Sequence, residues 1–406
     1  MTLLYLILAF ALFSALVWTW VNIVGGRGRS LNYQLSLEPP TKVPGGGHWP
    51  RVAVIAPGRD EAPHLPQVLP RLCSQDYETG RYQVVLVDDA STDDTPAITA
   101  EMAKRFDHLV VVRNDDEPPA GWMGKCWAVQ CGVAALDQSN EPPPDWMCFT
   151  DADILWDPRL LRSAMAYALE HDADLLGVAP TLRFGSAMEA IVQLQLVLAL
   201  GIMMPFEKAM DPNTPWALTG GAFILVRRRF YDAIGGHEAV KGEMVEDLKL
   251  GMALKAAGAC HRVAIAGELQ ECRMYDGVAD MWEGLTKNAY AGLNHRWWNA
   301  AGAIILIAIF NVFPPVYALL AGAWLIAAPG WMPALALLAA ITAILFQARA
   351  LNTGRKLMHL PVGYAWTMSL GAAAYSLIIV ASAWRFYRGG NLWKGRRYAA
   401  GGSTSP

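Results

Sequence analysis

Two carboxylates one residue apart, Asp151-Ala-Asp153, follow directly on a short apolar run, Trp146 to Thr150. Alternate residues just past a strand point the same way, so both can face one divalent ion. An all-oxygen pair suits Mg2+ or Mn2+, which combine one or two carboxylates with substrate phosphates. The plainer reading is a helix cap before Asp157-Pro158. A second acidic pair, Glu246-Asp247, opens a helical pattern running to Lys255. Such a carboxylate can take a proton as general base, or simply favour a helix N-terminus through the dipole. A third pair, Asp88-Asp89, begins the run Asp-Asp-Ala-Ser-Thr-Asp-Asp-Thr95. Its oxygens can accept from a base or ribose, or cap the helix that starts at Thr95. Lys125 opens a helix behind Gly124, where a cation can pair with phosphate; the plain alternative is a surface lysine.

These groups need a scaffold that brings them to one rim. Arg51 to Ala56, Tyr82 to Asp88, Leu109 to Arg113 and Trp146 to Thr150 are short apolar runs that read as buried strands. Helical patterns lie between them at His64 to Cys73, Thr95 to Phe106 and Lys125 to Leu136. This alternation predicts an α/β domain built on a parallel sheet with helices on both faces. Such sheets bind ligands at the carboxyl ends of their strands. Every acidic pair so far named except Glu246-Asp247 follows a strand end. The first strand is followed by Pro57-Gly-Arg-Asp-Glu61 rather than GxGxxG, which argues against a dinucleotide fold.

The 406 residues are 54% hydrophobic and only 17% charged, where about 25% charged is ordinary. The deficit is local. No Asp, Glu, Lys or Arg precedes Arg27, none lies between Arg296 and Arg349, and none between Lys356 and Arg385. A soluble middle is therefore expected between membrane-embedded ends, and disorder, collagen-like repeats and a small disulfide scaffold are excluded. A net charge of −3 gives no reason to expect nucleic-acid binding. The expected organisation is an N-terminal anchor over 1–26, a Pro/Gly-rich linker over 27–50, a catalytic domain over 51–296, two to four membrane segments over 297–384 and a basic tail over 385–406.

Thr2 to Val24 is long enough to cross a bilayer and lacks the basic start and cleavage site of a signal peptide. Arg27 and Arg29 follow it, so the positive-inside rule puts the middle domain in the cytoplasm. Trp297 to Ala348 offers two crossings, interrupted at Pro314-Pro315 with a turn at Pro329-Gly330, and Val362 to Trp384 a third. Three full crossings put Arg385, Arg388, Lys394, Arg396 and Arg397 outside, and a re-entrant hairpin over Ala300 to Ala328 puts Arg355 and Lys356 outside. Charge counting favours a cytoplasmic tail. Ser186 to Met204 is apolar but carries Glu189, Gln193 and Gln195, and reads either as a core helix or as a helix in the bilayer interface. The six cysteines form no CxxC pair and are expected as reduced, mostly buried thiols without a structural zinc. His237 and Glu238, after Gly235-Gly236, are candidates for an acceptor side or for plain surface.

Taken together, the motifs resemble the inverting family 2 glycosyltransferases of the GT-A fold, over about Arg51 to Leu293. Pro57-Gly-Arg-Asp-Glu61 resembles the family's PxRNE turn, Val87 to Thr95 its VDDxSxDxT, Thr150 to Asp153 its DxD, Thr219-Gly-Gly-Ala-Phe223 its acceptor-side glycine turn and Glu246-Asp247 its ED pair. The anchor, the Gly121-Trp-Met-Gly-Lys125 segment, Arg273-Met-Tyr275 and Trp282 to Asn288 look most like the hopene-associated glycosyltransferases of bacteria. The resemblance implies nucleotide-sugar binding at Pro57, Arg59, Glu61, Asp88, Asp89, Lys125, Asp151 and Arg273. It also implies Mg2+ or Mn2+ at Asp153 with Asp151, and a catalytic base at Asp247 beside Glu246.

One departure matters. Processive polysaccharide synthases carry QxxRW, and here Gln270-Glu-Cys-Arg273 is followed by Met274. That favours transfer of a single sugar, UDP-linked, to a lipid such as a hopanoid or polyprenyl acceptor at the bacterial cytoplasmic membrane. A processive synthase and an inactive membrane scaffold are the competing readings. Nothing in the sequence names a protein partner.

Overall fold

The computed structural model describes residues 2–25, 33–243, 245–388, 391–393 and 396–398. Arg27, Arg29 and Lys394 lie outside the described residues, as does most of the expected basic tail. The strands are β1 (Val52–Gly58), β2 (Tyr82–Asp89), β3 (Leu109–Asn114), β4 (Trp146–Phe149), β5 (Leu155–Trp156), β6 (Leu175–Ala179), β7 (Thr181–Leu182), β8 (Ile224–Arg227), β9 (His261–Ile265) and β10 (Gln270–Cys272). The helices are α1 (Thr2–Gly25), α2 (Leu65–Leu72), α3 (Thr95–Ala103), α4 (Gly124–Asp137), α5 (Leu160–Glu170), α6 (Ala187–Met203), α7 (Phe206–Met210) and α8 (Arg228–Ala233). They continue as α9 (Glu246–Ala256), α10 (Val278–Asn288), α11 (Trp297–Ile307), α12 (Pro314–Ala327), α13 (Trp331–Leu357) and α14 (Met368–Tyr387).

The chain forms two compact units. The first comprises Ser30–Leu182 and Phe206–Arg273. Its seven-stranded sheet has the order β3-β2-β1-β4-β8-β6-β9. The four strands expected from sequence are there and run parallel. The sheet as a whole is mixed, because β8 runs against both β4 and β6. The cause lies in the entry to β8: Ile224 pairs with Phe149, so β8 starts at the rim where β4 ends and must run back. Ile55, Val87, Met147 and Val226 from the sheet pack with Val129 of α4 and Leu250 of α9 in one buried core. A second sheet, β5-β10-β7, closes the rim beyond β4.

The expected linker is in part ordered structure. Gln34 bridges to Ile265, and Leu35 and Trp49 are buried. Trp49 packs at a tilt against Tyr77, 5.6 Å between ring centroids, and its backbone N–H donates to Glu78. Two apolar side chains in a Pro/Gly-rich stretch were enough to anchor it. Four of the six cysteines are buried and all six are free thiols.

The second unit comprises Met1–Arg29, Arg183–Pro205 and Met274–Pro406. The catalytic span expected over 51–296 is thus divided, since α6 and α10 group with the apolar helices. Ser186 and Glu189 form a reciprocal cap at the start of α6: Glu189 N–H donates to Ser186 Oγ, and the Glu189 carboxylate accepts from Ser186 Oγ and Gly185 N–H. That explains a carboxylate only 1% exposed. Leu194 then packs with Trp18, Ala343, Leu351 and Met368.

Among the described residues three helices are long and apolar enough to cross a membrane: residues Leu4–Ile23 of α1, and α13 and α14. Residues Trp297–Val312 and α12 make a fourth candidate, bent by 53° at the expected Pro314-Pro315 break. α1 and α13 run parallel, Ile7 packing with Ala336 and Asn22 donating to the Phe346 carbonyl. α12 runs against both, Tyr317 meeting Ala11 and Ala339 and Ala321 meeting Ile7. α14 lies antiparallel to α11: Ser369 Oγ donates to the Asn311 carbonyl, while Ile379 packs with Ala300 and Phe386 stacks on His295.

Candidate active site

The rim loops after β1 and β2 are laced together by their own polar side chains. Asp60 N–H donates to Ser91 Oγ, Thr92 N–H to Asp60 Oδ1, Glu61 N–H to Thr95 Oγ1 and Ala62 N–H to Asp93 Oδ2. Parallel register sets Asp88 opposite Arg113 and Asp89 opposite Asn114. Asp88 is 1% exposed; Arg113 donates to its Oδ2 and Ser91 N–H to its Oδ1 at 3.1 Å. Asp89 accepts from Asn114 Nδ2 at 2.8 Å. The sequence offers these two aspartates as acceptors for a base or ribose, or as caps of the helix at Thr95. In the fold both are buried and engaged by partners within the rim itself.

The strand-end cleft gathers Pro57, Lys125, Asp151, Gly221, Glu246 and Asp247. The antiparallel entry of β8 is what brings them together. It sets Thr219–Phe223 beside Thr150–Asp153, and Thr150 Oγ1 donates to the Ala222 carbonyl at 2.8 Å. Thr219 Oγ1 donates to the Asp247 carbonyl at 2.7 Å, which draws the first turn of α9 against the glycine turn. The Asp247 carboxylate accepts from Gly221 N–H at 2.8 Å and from Leu248 N–H at 2.7 Å. Burial and the neighbouring Glu246 charge push the Asp247 carboxyl up, against the pull of Lys125 and of those two N–H groups. The helix-entry reading of Glu246-Asp247 is therefore correct as local structure, and the same turn faces the cleft.

Lys125 takes a different position from the one its helix N-terminus suggests. Its Nζ lies 2.6 Å from Asp151 Oδ1 and 2.8 Å from Glu246 Oε1. Dehydration works to lower its pKa, but Asp151, Glu246 and Asp247 together hold it well above the ordinary lysine value. It joins the two acidic motifs across the cleft.

Asp153 is the residue best fitted to a divalent ion. Its Oδ1 is buried without a hydrogen-bond partner. Burial, then the charges of Asp151 and Glu61, push its carboxyl up to about 6. A carboxylate so placed is relieved by a cation. Among the described residues no group of three or more His, Cys, Asp or Glu side chains forms a cage. Arg59 stands next to Asp60 on the same rim, with 3.9 Å between Nε and Oδ2. Arg273 is exposed just past β10, whose Gln270 and Glu271 pair antiparallel with Trp156 and Leu155 of β5.

His237, which the sequence left open between an acceptor side and plain surface, belongs to the cleft. It is 3% exposed, lines the cleft and meets Phe149 edge-to-face at 4.9 Å between ring centroids. Tyr231 Oη lies 2.8 Å from its Nδ1 and accepts its backbone N–H. The preceding Gly235 and Gly236, at φ 78° and 65°, make the left-handed turn that tucks it in. Glu238 stays exposed and pairs with Lys241.

Gly221 has no room for a side chain. A Cβ there would lie 2.6 Å from Asp151 Oδ2 and 2.8 Å from Lys125 Nζ. Gly221→Ala should cut kcat/KM by roughly 10²-fold, the cost of displacing groups by about 1 Å, with little change in the circular dichroism spectrum. Wild-type turnover in that variant would show that the Lys125–Asp151 contact is not needed.

Acid should unfold the sheet unit through its histidines. Burial, with help from nearby cations, lowers His237 and His261 to about 3 from 6.5. His261 Nε2 accepts from Leu218 N–H at 3.2 Å, which a protonated ring cannot do. The unfolded chain takes up these protons first as pH falls. Each histidine's contribution is thus complete above pH 6.5 and is lost at about 1.4 kcal/mol per pH unit down to about pH 3. Detergent-solubilised protein should melt at steadily lower temperature from pH 6.5 to 4.5, and His261→Gln should flatten that slope. An unchanged slope in the variant would exclude His261 as a source.

The fold of the sheet unit and its rim define a nucleotide-diphospho-sugar transferase architecture of the GT-A kind. A mannosyltransferase from Pyrobaculum calidifontis, solved in complex with GDP-Man and Mn2+, superposes with a TM-score of 0.51 at 21% identity, covering 93% of this chain and 98% of that one. Residues 50–299 match the glycosyltransferase like family 2, and the chain belongs to that family of enzymes. A beta-monoglucosyldiacylglycerol synthase of Nostoc is 36% identical over 78 residues, 19% of this chain and 17% of the relative. Its counterpart from Synechocystis is 30% identical over 114 residues, 27% of this chain and 24% of the relative. The chain spans less than a quarter of the length of these relatives.

Proposed function

We propose that this chain moves one sugar from a UDP-linked donor to a lipid hydroxyl at the bacterial cytoplasmic membrane, with the sheet unit in the cytoplasm. The carrying observation is the Asp247 carboxylate, aimed by two backbone N–H groups into the cleft that also holds Lys125 and Asp151. Asp247 takes the proton of the acceptor hydroxyl as its oxygen attacks the anomeric carbon. The bond from that carbon to the diphosphate breaks, its electron pair leaves on the diphosphate, and the configuration inverts. Glu246 and Lys125 fix the turn that carries Asp247. Pro57, Arg59, Glu61, Asp88 and Asp89 frame the nucleoside end, and Arg273 faces the diphosphate. Asp153, with Asp151, would hold Mg2+ or Mn2+, which when bound supplies charge neutralisation on the departing group.

The acceptor reading rests on the apolar helices and on relatives named as glucosyldiacylglycerol synthases. The motif resemblance favours a hopanoid or polyprenyl lipid. Met274, where processive synthases have tryptophan, favours a single transfer. Lipid mass spectrometry of a deletion strain tests this directly: one glycolipid should disappear and its precursor, lighter by one hexose or N-acetylhexosamine, accumulate. Purified full-length protein should consume UDP-sugar with Mn2+ or Mg2+ and stop with EDTA. An unchanged lipid profile together with no donor turnover would overturn the proposal, and a ladder of product lengths would replace it with a processive synthase.

A further inference from the structure

We infer that α14, although long and apolar enough to span, lies along one membrane face and seats an anionic phospholipid headgroup at its C-terminal end. The two ends of α14 supply the first argument. Met368, at its start, packs with Trp18 near the end of α1 and Leu351 near the end of α13. Those two helices are parallel, so their C-terminal ends share a face, and it is from α1 that the chain leads on to the sheet unit. At the other end, Tyr387 Oη meets Tyr290 Oη at 2.9 Å, Ser382 Oγ accepts from Tyr290 N–H and Arg385 donates to Thr286 Oγ1 at 2.9 Å. Tyr290 follows α10, which carries Asp280, Glu283 and Lys287 and leads in from the sheet unit at Arg273. A helix that charged stays out of hydrocarbon. Both ends of α14 therefore lie on the face where the chain joins the sheet unit.

The crossings then become α1, α12 and α13, with α11 lying beside α14 before the 53° bend into α12. α12 rises from the level of Phe310, whose carbonyl accepts from Trp18 and Gln347, toward the start of α13. Neither topology considered from sequence alone is needed. Arg355, Lys356, Arg385 and Arg388 fall on one face, which satisfies the charge rule that both of those left violated.

The headgroup site follows from what that end presents. Leu370, Leu377, Val380, Trp384 and Tyr387 form one exposed stripe along α14, at the spacing of a single helical face. At its end the Arg388 guanidinium lies 4.2 Å from the Trp384 ring centroid, and Arg296 lies 5.6 Å from that of Trp298. His295, adjacent to Arg296, stacks on Phe386 at 4.5 Å and so joins the two clusters. Tryptophans at headgroup depth beside guanidinium groups are suited to a lipid phosphodiester.

Two measurements on the full chain test this. Single cysteines at Gly330→Cys, His359→Cys and Arg388→Cys, in a Cys131→Ser/Cys260→Ser background, are labelled with a membrane-impermeant maleimide in sealed vesicles. Positions 359 and 388 should react from the same side and 330 from the other. Labelling of 359 and 388 from opposite sides overturns the inference. In nanodiscs, spin-labelled phosphatidylglycerol should be immobilised severalfold more than phosphatidylcholine, with soluble glycerol phosphate failing to compete. Arg296→Gln/Arg388→Gln, at exposed positions, should bring that ratio near one. No selectivity in the wild type, or selectivity untouched in the variant, removes the headgroup site. Neither readout depends on sugar transfer, so each can fail independently of the proposed activity.

Discussion

Asp247→Asn should lower the rate of sugar transfer by about 10²–10⁴-fold, the range for loss of a positioned general base. The substitution keeps the volume of the side chain and removes its charge. It also leaves one of the two N–H groups, from Gly221 or Leu248, facing an amide nitrogen, at a cost of about 1 kcal/mol. Protein of near-normal stability with intact donor binding and almost no turnover is the expected phenotype. The pH profile gives an independent reading. Burial and Glu246 hold the Asp247 carboxyl above its usual range, so the base is lost by protonation at a higher pH than for an exposed aspartate. The acidic limb of kcat/KM should sit correspondingly high and vanish in whatever residual activity Asp247→Asn retains. More than a tenth of wild-type turnover in the variant would move the base elsewhere.

Lys125→Met should damage both stability and rate, and that pairing is the informative part. Its Nζ separates Asp151 from Glu246 at 2.6 and 2.8 Å. Without it, two carboxylates face each other in a cleft that also holds Asp247. Breaking a fully buried pair costs about 3–5 kcal/mol; with the lysine one-third exposed, solvent screening brings this to about 1–3 kcal/mol. A drop in Tm of about 2–4 °C per kcal/mol should appear in protein free of donor, with turnover down roughly 10²-fold. A lysine that served phosphate alone would raise KM for the donor and leave the donor-free Tm where it was. Measuring that Tm separates the two.

The strands were legible because Val52 to Ala56 and Val84 to Val87 are apolar runs that no exposed segment would tolerate. Asp151 and Asp153 were legible because they follow such a run. The partner of Lys125 was not, since it depends on β8 turning back against β4, and a four-residue antiparallel strand looks like a parallel one in sequence. His237 stayed undecided for a related reason. A single histidine carries no period, and its burial is set by a glycine turn and a tyrosine six residues away. α14 was legible as a segment able to cross, and it does have the length and apolarity for that.

The three-piece make-up of the apolar unit sets a timetable for synthesis. Leu194 of α6 finds its place against Gly354 of α13, a separation of 160 residues along the chain. At about 5–20 residues per second, that partner leaves the ribosome roughly 10–30 s later. Through that interval α6 is a single apolar helix without its partner, inserted between two segments of the sheet unit. A fragment ending before α13 would keep that surface permanently, so the sheet unit should be poorly behaved when cut free at the edge of its own motifs. Chaperone or translocon occupancy during that window, rather than the stability of the finished sheet, is what should limit the yield of this enzyme.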